Sequence, residues 1–338
     1  CSSDLGVTAL CATSFVDCVV EEGGSGDRTI TAIIVENASG RQAITGKIFI
    51  EGSGTAQLAA SAGAPFIPGG GGQPETANWD GVKRPIPGGL LWIMSGIDFR
   101  KTAVHQKDAK DPMLEKLMAE ATATGDLPQG LYRPRMKGTN VYGSLYIGHP
   151  TIDMSPMLAD GTFILWQNVP YEWGLHMDDD AEDAARARRA MRAFIEAESR
   201  FVRKYVPGFE EAFVSNVGRY VGVRDGRHPL GEYRFTIEDA RAGRHFPDAI
   251  SRPMTKTFFW DTYTAYTFEI PYRCFLPKGI DNLLLTGASL SFAYETIFMV
   301  MRNFPWCTQT GEVAGQAAGM AIRQGVKPRH LPWTTPYF

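Results

Sequence analysis

Cysteine, excess positive charge and long apolar runs are all scarce in this sequence, and each scarcity excludes a class of protein. The five cysteines (Cys1, Cys11, Cys18, Cys274, Cys307) are too few and too scattered for a disulfide framework in 338 residues, and their odd number agrees with a reducing compartment. There is no Cys-x-x-Cys and no histidine pair at helical spacing, so no zinc or iron–sulfur site is expected. The 34 Lys and Arg against 37 Asp and Glu give a formal net charge of −3, with no pull toward nucleic acid or anionic lipid. The longest apolar-leaning stretch, Leu283–Met301, is interrupted by Thr286, Gly287, Ser289, Ser291, Glu295 and Thr296 and is too polar for a membrane span. The sequence opens on Cys1 without a Met or a signal peptide and runs at once into strand-like residues, so it is expected to begin inside a domain. A cytoplasmic location is expected.

What is present is apolar and aromatic. Hydrophobic residues make up 44% of the chain, with 19 Phe, 12 Tyr and 7 Trp, which excludes global disorder and supplies a core for one large domain or two smaller ones. β-Branched runs at Thr8–Val20 and Thr29–Glu36, separated and followed by glycine-rich turns, predict a meander. Gln42–Glu51 predicts a strand that ends in Gly52-Ser53-Gly54, with helix-compatible Thr55–Ala62 after it. From 63 to 110 the signal is poor apart from a buried strand at Leu90–Ile97, and Asp111-Pro112 predicts the start of a short helix over Met113–Thr122. Strands are expected at Tyr142–Gly148 and Gly161–Gln167.

Asp178, Asp179 and Asp180 precede one long helix. Its apolar stripe of Met191, Phe194, Ile195, Phe201, Val202 and Tyr205 stops before Pro207-Gly208. The acids suit the helix start, and the segment lacks the Gly and terminal Glu of a calcium loop. Phe213–Val223, Tyr233–Thr236, Phe258–Ile270 and Asn282–Thr286 predict strands, and Thr310–Gln324 a last helix. This order predicts an α/β fold with an added mixed α+β part.

Four groups of residues are candidates for chemistry. Gly52-Ser53-Gly54 either brings backbone close to a ligand, with the following helix offering its N–H groups to an anion, or is a tight turn. Gly311, Gly315 and Gly319 on the last helix either allow close packing or accompany a helix N-terminus aimed at a polar ligand atom. Arg219, Arg224, Arg227 and His228 form an anion pocket, or else Arg224 pairs with Glu232 as structure. Ser289 or Ser291 would serve a hydrolase, with His228 or His245 approaching as base.

Val217–Pro253, Ile270-Pro271-Tyr272-Arg273, Leu276-Pro277-Lys278-Gly279, Asp281–Leu284, and Arg302-x-x-Pro305-x-Cys307 leading to Thr310–Gly315 resemble the large family of bacterial FAD-dependent oxidoreductases with a glutathione-reductase-type flavin fold. Gly40–Ile44, Gly52–Ala59 and Ala62–Phe66 are similar to that family's middle segment. The resemblance implies an α/β chain: an incomplete FAD-binding Rossmann-like domain plus a mixed α+β substrate domain with an antiparallel sheet. Residues 1–66 and 271–338 would form the FAD-binding part, and 67–270 the substrate domain.

It further implies that Phe15 and Val16 lie against the adenine, Gly52, Ser53 and Gly54 near the adenine-dinucleotide half, and Gly287, Ala288 and Ser289 by the pyrophosphate and ribityl chain. A helix start at Gln309, Thr310 and Gly311 would face the flavin C2 carbonyl. Arg224 and Arg302 would hold a substrate carboxylate or hydroxyl, and Tyr294 would donate or accept a proton. The implied activity is dehydrogenation, a hydride passing between a small organic substrate and flavin N5. The alternatives are a scaffold subunit that supports an active partner, and the serine hydrolase. No Gly-x-Gly-x-x-Gly βαβ unit occurs, so a partner chain in a hetero-oligomer, or a segment absent from this sequence, is expected to supply it.

Overall fold

The computed structural model describes residues 6–24, 26–70, 85–86, 88–110, 114–127, 161–169, 173–251, 254–259, 262–293 and 303–333. In chain order the strands are β1 (Ser14–Glu22), β2 (Arg28–Asn37), β3 (Gly40–Thr45), β4 (Phe49–Glu51), β5 (Phe66–Ile67), β6 (Gly89–Ser95), β7 (Phe163–Asn168), β8 (Phe213–Val217), β9 (His228–Pro229), β10 (Ala249–Ser251), β11 (Met254–Phe259), β12 (Thr262–Thr267), β13 (Ile270–Pro271) and β14 (Leu283–Leu285). The helices are α1 (Gln57–Ser61), α2 (Phe99–Asp108), α3 (Glu115–Ala123), α4 (Ala181–Tyr205), α5 (Ile237–Arg241) and α6 (Phe304–Gln324). Mixed helix and strand with small sheets is compatible with the expected α/β class. Among the described residues, no helix is long and apolar enough to cross a membrane.

The chain divides into two compact units, Cys1–Ala77 with Arg227–Phe259 and Tyr263–Phe338, and Asn78–Gly226 with Trp260–Thr262. Residues 227–259 therefore belong to the same compact unit as both chain ends, whereas the expected functional division grouped them with 67–226.

In the first unit β1, β2 and β3 form the antiparallel meander, with Ile30, Ala32 and Val35 of β2 turned into the core. The strand expected over Gln42–Glu51 is two strands. Its chain turns tightly at Gly46, where an added Cβ would lie 3.2 Å from the Phe49 ring, and β4 then leaves the meander to pair in parallel with β14. Asn282 fixes that pairing: its side chain accepts from Ile30 N at 2.9 Å and donates to Ile30 O at 2.8 Å and Lys47 O at 3.2 Å. Leu283, Leu284 and Leu285 are buried with Phe49, Phe235, Phe275, Ala314 and Ala317, each large side chain contributing roughly 1.5–3 kcal/mol by leaving water. Tyr233–Thr236 is not a strand: Phe235 makes a single bridge to Phe292, and Thr236 caps α5 through a capping box with Asp239.

In the second unit β7, β6 and β8 form an antiparallel sheet in that order. Leu90, Trp92 and Met94 alternate into its core, and Ala187, Met191, Ile195 and Val202 of α4 are buried in the same cluster. The acids before α4 act as a cap, Asp180 accepting from Glu182 N at 2.8 Å and Asp183 N at 2.9 Å. β8 stops six residues short of the expected Val223, because at Gly218 the backbone passes so close that an added Cβ would lie 2.9 Å from Leu91 O. The sequence shows no apolar signal for α2, which is nucleated by Asp98 accepting from Arg100 N and Lys101 N, each at 3.1 Å. Asp111, Pro112 and Tyr142–Gly148 lie outside the described residues.

Candidate functional site

Two parallel strands carry their following turns to the same end, and in open α/β sheets that end is where ligands are bound. Here the Gly52–Ala56 turn after β4 lies beside the Gly287–Ser289 turn after β14, a single 3-10 turn. Thr286 N donates to Glu51 O at 3.1 Å, and Ala56 N donates to the buried Ser289 Oγ at 3.2 Å. Gly54 has φ +79°, and an added Cβ there would meet no atom of the described residues within 4 Å, so the turn presents bare backbone there. The structure thus brings together two glycine turns whose residues are about 230 positions apart in sequence.

Three residues hold this arrangement from behind. Glu51 is buried at the end of β4; its Oε1 accepts from Ser53 N at 2.7 Å and its Oε2 from Leu58 N at 2.7 Å and Ala59 N at 3.2 Å. Of the two readings of this segment, the tight turn is the one these bonds favour over α1 offering its first N–H groups to an anion, because the Glu51 carboxylate already accepts them. Ala56 precedes α1 in the left-handed region, at φ 54°, which costs a non-glycine residue about 1–2 kcal/mol. Thr310 is the third: its Oγ1 accepts from Gly287 N at 3.0 Å and donates within α6 to Trp306 O at 3.0 Å.

The role expected of Gln309, Thr310 and Gly311 as a helix start is also corrected. Helix α6 begins at Phe304, with Asn303 at its N-cap and Pro305 in its first turn, so residues 309–311 lie in the second turn. Thr310 serves the turn through its side chain instead. Gly311 and Gly315 make no close contact either, since an added Cβ at either would meet no atom within 4 Å. Gly287, at φ +60°, is the close approach: an added Cβ would lie 3.3 Å from Cys307 Sγ.

Val16 is exposed and occupies a bulge in β1, between the Phe15–Val35 and Asp17–Ile34 pairs, so the regular ladder skips it. Next to it, Asp17 accepts from Ser61 Oγ at 2.5 Å and from Cys18 N at 2.8 Å, and these two bonds hold its carboxyl below the usual range. Burial pushes the Cys18 thiol up, and pushes that of the fully buried Cys274 far up, which keeps both thiols protonated.

Of the arginine cluster, Arg227 donates from Nη1 to Thr55 O at 3.1 Å. The sequence reading favoured Arg224, which stands half-buried in a bend at the end of the second unit. Arg219 is exposed and lies over its neighbour Tyr220, 5.4 Å from the ring centroid. Glu232 pairs with Arg329 at 3.4 Å. Arg302 and Tyr294 lie outside the described residues.

Ser289 and Ser291 are fully buried, and each hydroxyl accepts a backbone N–H, from Ala56 and from Gly231 (2.8 Å). His245 bonds Glu269 at 2.9 Å. Both serine hydroxyls are thus fixed as structural acceptors, which argues against a nucleophile. Ahead of α4, His176, Asp178 and Asp179 bring side-chain ligand atoms within 4.8 Å of one another; the positive helix end accounts for the acids there.

A protein-family model described as FAD dependent oxidoreductase matches residues 2–335. No curated protein and no solved structure matches the chain.

Proposed function

The chain belongs to the family of FAD-dependent oxidoreductases, and from that premise we propose that its two glycine turns form the cradle in which the cofactor lies. FAD is the cofactor this family implies. The observation that carries the reading is the way the turns are fixed at the carboxyl ends of parallel β4 and β14: Ala56 N to Ser289 Oγ joins one turn to the other, and Gly287 N to Thr310 Oγ1 ties the second to α6. The residues fit such a group, because Gly54 has no described atom within 4 Å of where a side chain would begin, and Val16 sits exposed in a bulge of β1. Gly52, Ser53, Gly54, Gly287, Ala288 and Ser289 would line the cradle, with Phe15 and Val16 toward the adenine.

When bound, FAD supplies a two-electron carrier at its isoalloxazine ring. The chain's own part is to hold it rigidly. Glu51 and Thr310 fix the turns from behind, so that little ordering remains to be done on binding. Arg224, Arg302 and Tyr294 are assigned to the substrate side, the arginines orienting a carboxylate or hydroxyl and the phenol moving a proton. The reaction class is dehydrogenation of a small organic molecule by hydride transfer. A parallel pair of strands normally belongs to a larger covered sheet, which supports a further βαβ unit from outside these residues completing the dinucleotide site.

The test is the visible spectrum of the purified, undenatured protein with whatever chains accompany it. Absorbance near ~450 nm that bleaches on reduction is expected. A colourless preparation that takes up no added FAD would refute the cradle.

A further inference from the structure

Helix α4 gathers positive charge on the face that its own unit leaves to solvent. Residues 186–204 hold seven Lys and Arg and two Glu, a formal +5 in a chain whose total is −3. Met191, Ile195, Phe201 and Val202 are buried in the core, and on the opposite side of the helix Arg189, Arg192, Arg200 and Arg203 are all exposed. The four stand as two pairs at i, i+3. The second pair repeats the first eleven residues on, three turns and about 16 Å along the axis. Midway between the pairs is Glu196, also exposed, whose carboxylate lies 3.9 Å from Arg200. Arg189, Arg192 and Arg203 make no ion pair or hydrogen bond among the described residues, whereas Lys204 bonds Asp126 and Arg186 lies over the Trp173 ring, 5.0 Å from its centroid.

This arrangement works against the helix that carries it. Like charges at i, i+3 repel, and Arg189 and Arg192 lie in the half nearer the positive end of the macrodipole, where a cation is disfavoured. Solubility alone is served by mixed signs, while a field of one sign steers an oppositely charged partner. Arginine's planar fork matches the two oxygens of a carboxylate. Glu196 decides which kind of partner fits. A nucleic acid or an anionic bilayer is negative throughout and would press charge against this carboxylate, and the apolar stripe of α4, turned into the core, has nothing to insert into lipid. A protein can instead place carboxylates at two points with a cation between them. We propose that the exposed face of α4 is the docking surface for an acidic protein partner, which sets one group of carboxylates against Arg189 and Arg192 and a second, about 16 Å away, against Arg200 and Arg203. This surface stands independently of the cradle.

The experiment uses the whole protein and a labelled helical peptide built to the same spacing, with two Glu pairs at i, i+3 set eleven residues apart and a Lys midway, followed by fluorescence anisotropy. The protein is expected to bind it at least about fivefold more tightly than a peptide of the same composition with its acids scrambled, and the affinity is expected to fall with added salt. Arg189→Gln with Arg192→Gln, and separately Arg200→Gln with Arg203→Gln, are each expected to weaken the patterned peptide by about fivefold, with the melting temperature unchanged or slightly raised. Glu196→Gln is expected to weaken the patterned peptide and to strengthen binding to duplex DNA and to phosphatidylserine vesicles.

Three outcomes overturn the proposal. One is a wild-type protein that binds neither peptide, or both equally. Another is an arginine double variant that binds the patterned peptide like wild type. The third is displacement of that peptide from wild type by DNA or by the vesicles at a lower concentration of charge than the free peptide needs, which would make the stripe a general polyanion surface.

Discussion

Two sets of buried polar groups, one from each unit, stand in opposite situations. In the first, Glu51, Asn282, Ser289, Ser291 and Thr310 are all buried and all bonded to backbone groups, so each fixes the position of a turn or a strand. In the second, Trp92 Nε1, both polar atoms of the Gln167 amide and both oxygens of Glu198 are buried with no hydrogen-bond partner among the described residues. An unpaired buried group costs about 1–3 kcal/mol, whereas a paired one returns roughly 1. Polarity at the five residues of the first set is therefore architectural, and at Trp92, Gln167 and Glu198 it is a liability carried among apolar neighbours. Removing a polar group of the first set should destabilise the protein, and removing one of the second should stabilise it.

The largest effect is expected at Glu51. Glu51→Gln leaves one acceptor oxygen for three N–H groups and turns an amide donor toward the others, at a cost of about 3 kcal/mol or more. Chemical denaturation followed by circular dichroism measures this, and FAD retention should fall with it. A change under about 1 kcal/mol would end the contrast between the units.

A smaller effect of opposite sign is expected at Glu198, whose complete burial pushes its carboxyl well above the ordinary value of 4.5. A raised folded-state value means that the full stability is present only below 4.5 and is lost as pH rises from there toward the folded value. Glu198→Gln should therefore match wild type near pH 4 and exceed it at pH 7, by about 1–3 kcal/mol. Melting curves at the two pH values test the sign, and a variant less stable at pH 7 would show that the carboxylate has a use.

The smallest effect belongs to Asp126, on the surface of the second unit, where Lys204 at 2.5 Å and Tyr205 at 2.6 Å draw its carboxyl down from 3.8 to about 2. Here the stabilisation is present above 3.8 and is lost as pH falls through about 2. Exposed to solvent and salt, the pair should make Asp126→Asn nearly indistinguishable from wild type at neutral pH. A large loss there would mean that surface pairs matter more in this unit than its core.

What was legible in the sequence follows from the range of the interactions. The 25-residue α4 could be read from its stripe and its Asp180 cap, and β14 from its run of leucines, because both signals are local. The glycine turns were legible as turns and their shared location followed from the resemblance. The residues that lock them were not, since Ala56 and Ser289 are 233 positions apart and nothing near either announces the bond. Glu51 reads as the polar end of a strand, and only the fold around it shows that it closes a helix. The start of α6 was misplaced because the glycines near Thr310 outweighed the Asn303 and Pro305 signals upstream.

Asn282 joins itself to Ile30 across 252 positions, and the second unit is inserted within that span. During synthesis Asn78–Gly226 therefore emerges in one stretch and has nearly all its partners at hand, while the meander that precedes it must wait for the leucine strand near the other end. The later unit to be translated in full is the one begun first. The apolar β2 face lacks its leucine-strand partner while the inserted unit is being translated, so the slow, aggregation-exposed phase of folding falls on the unit that carries the two glycine turns.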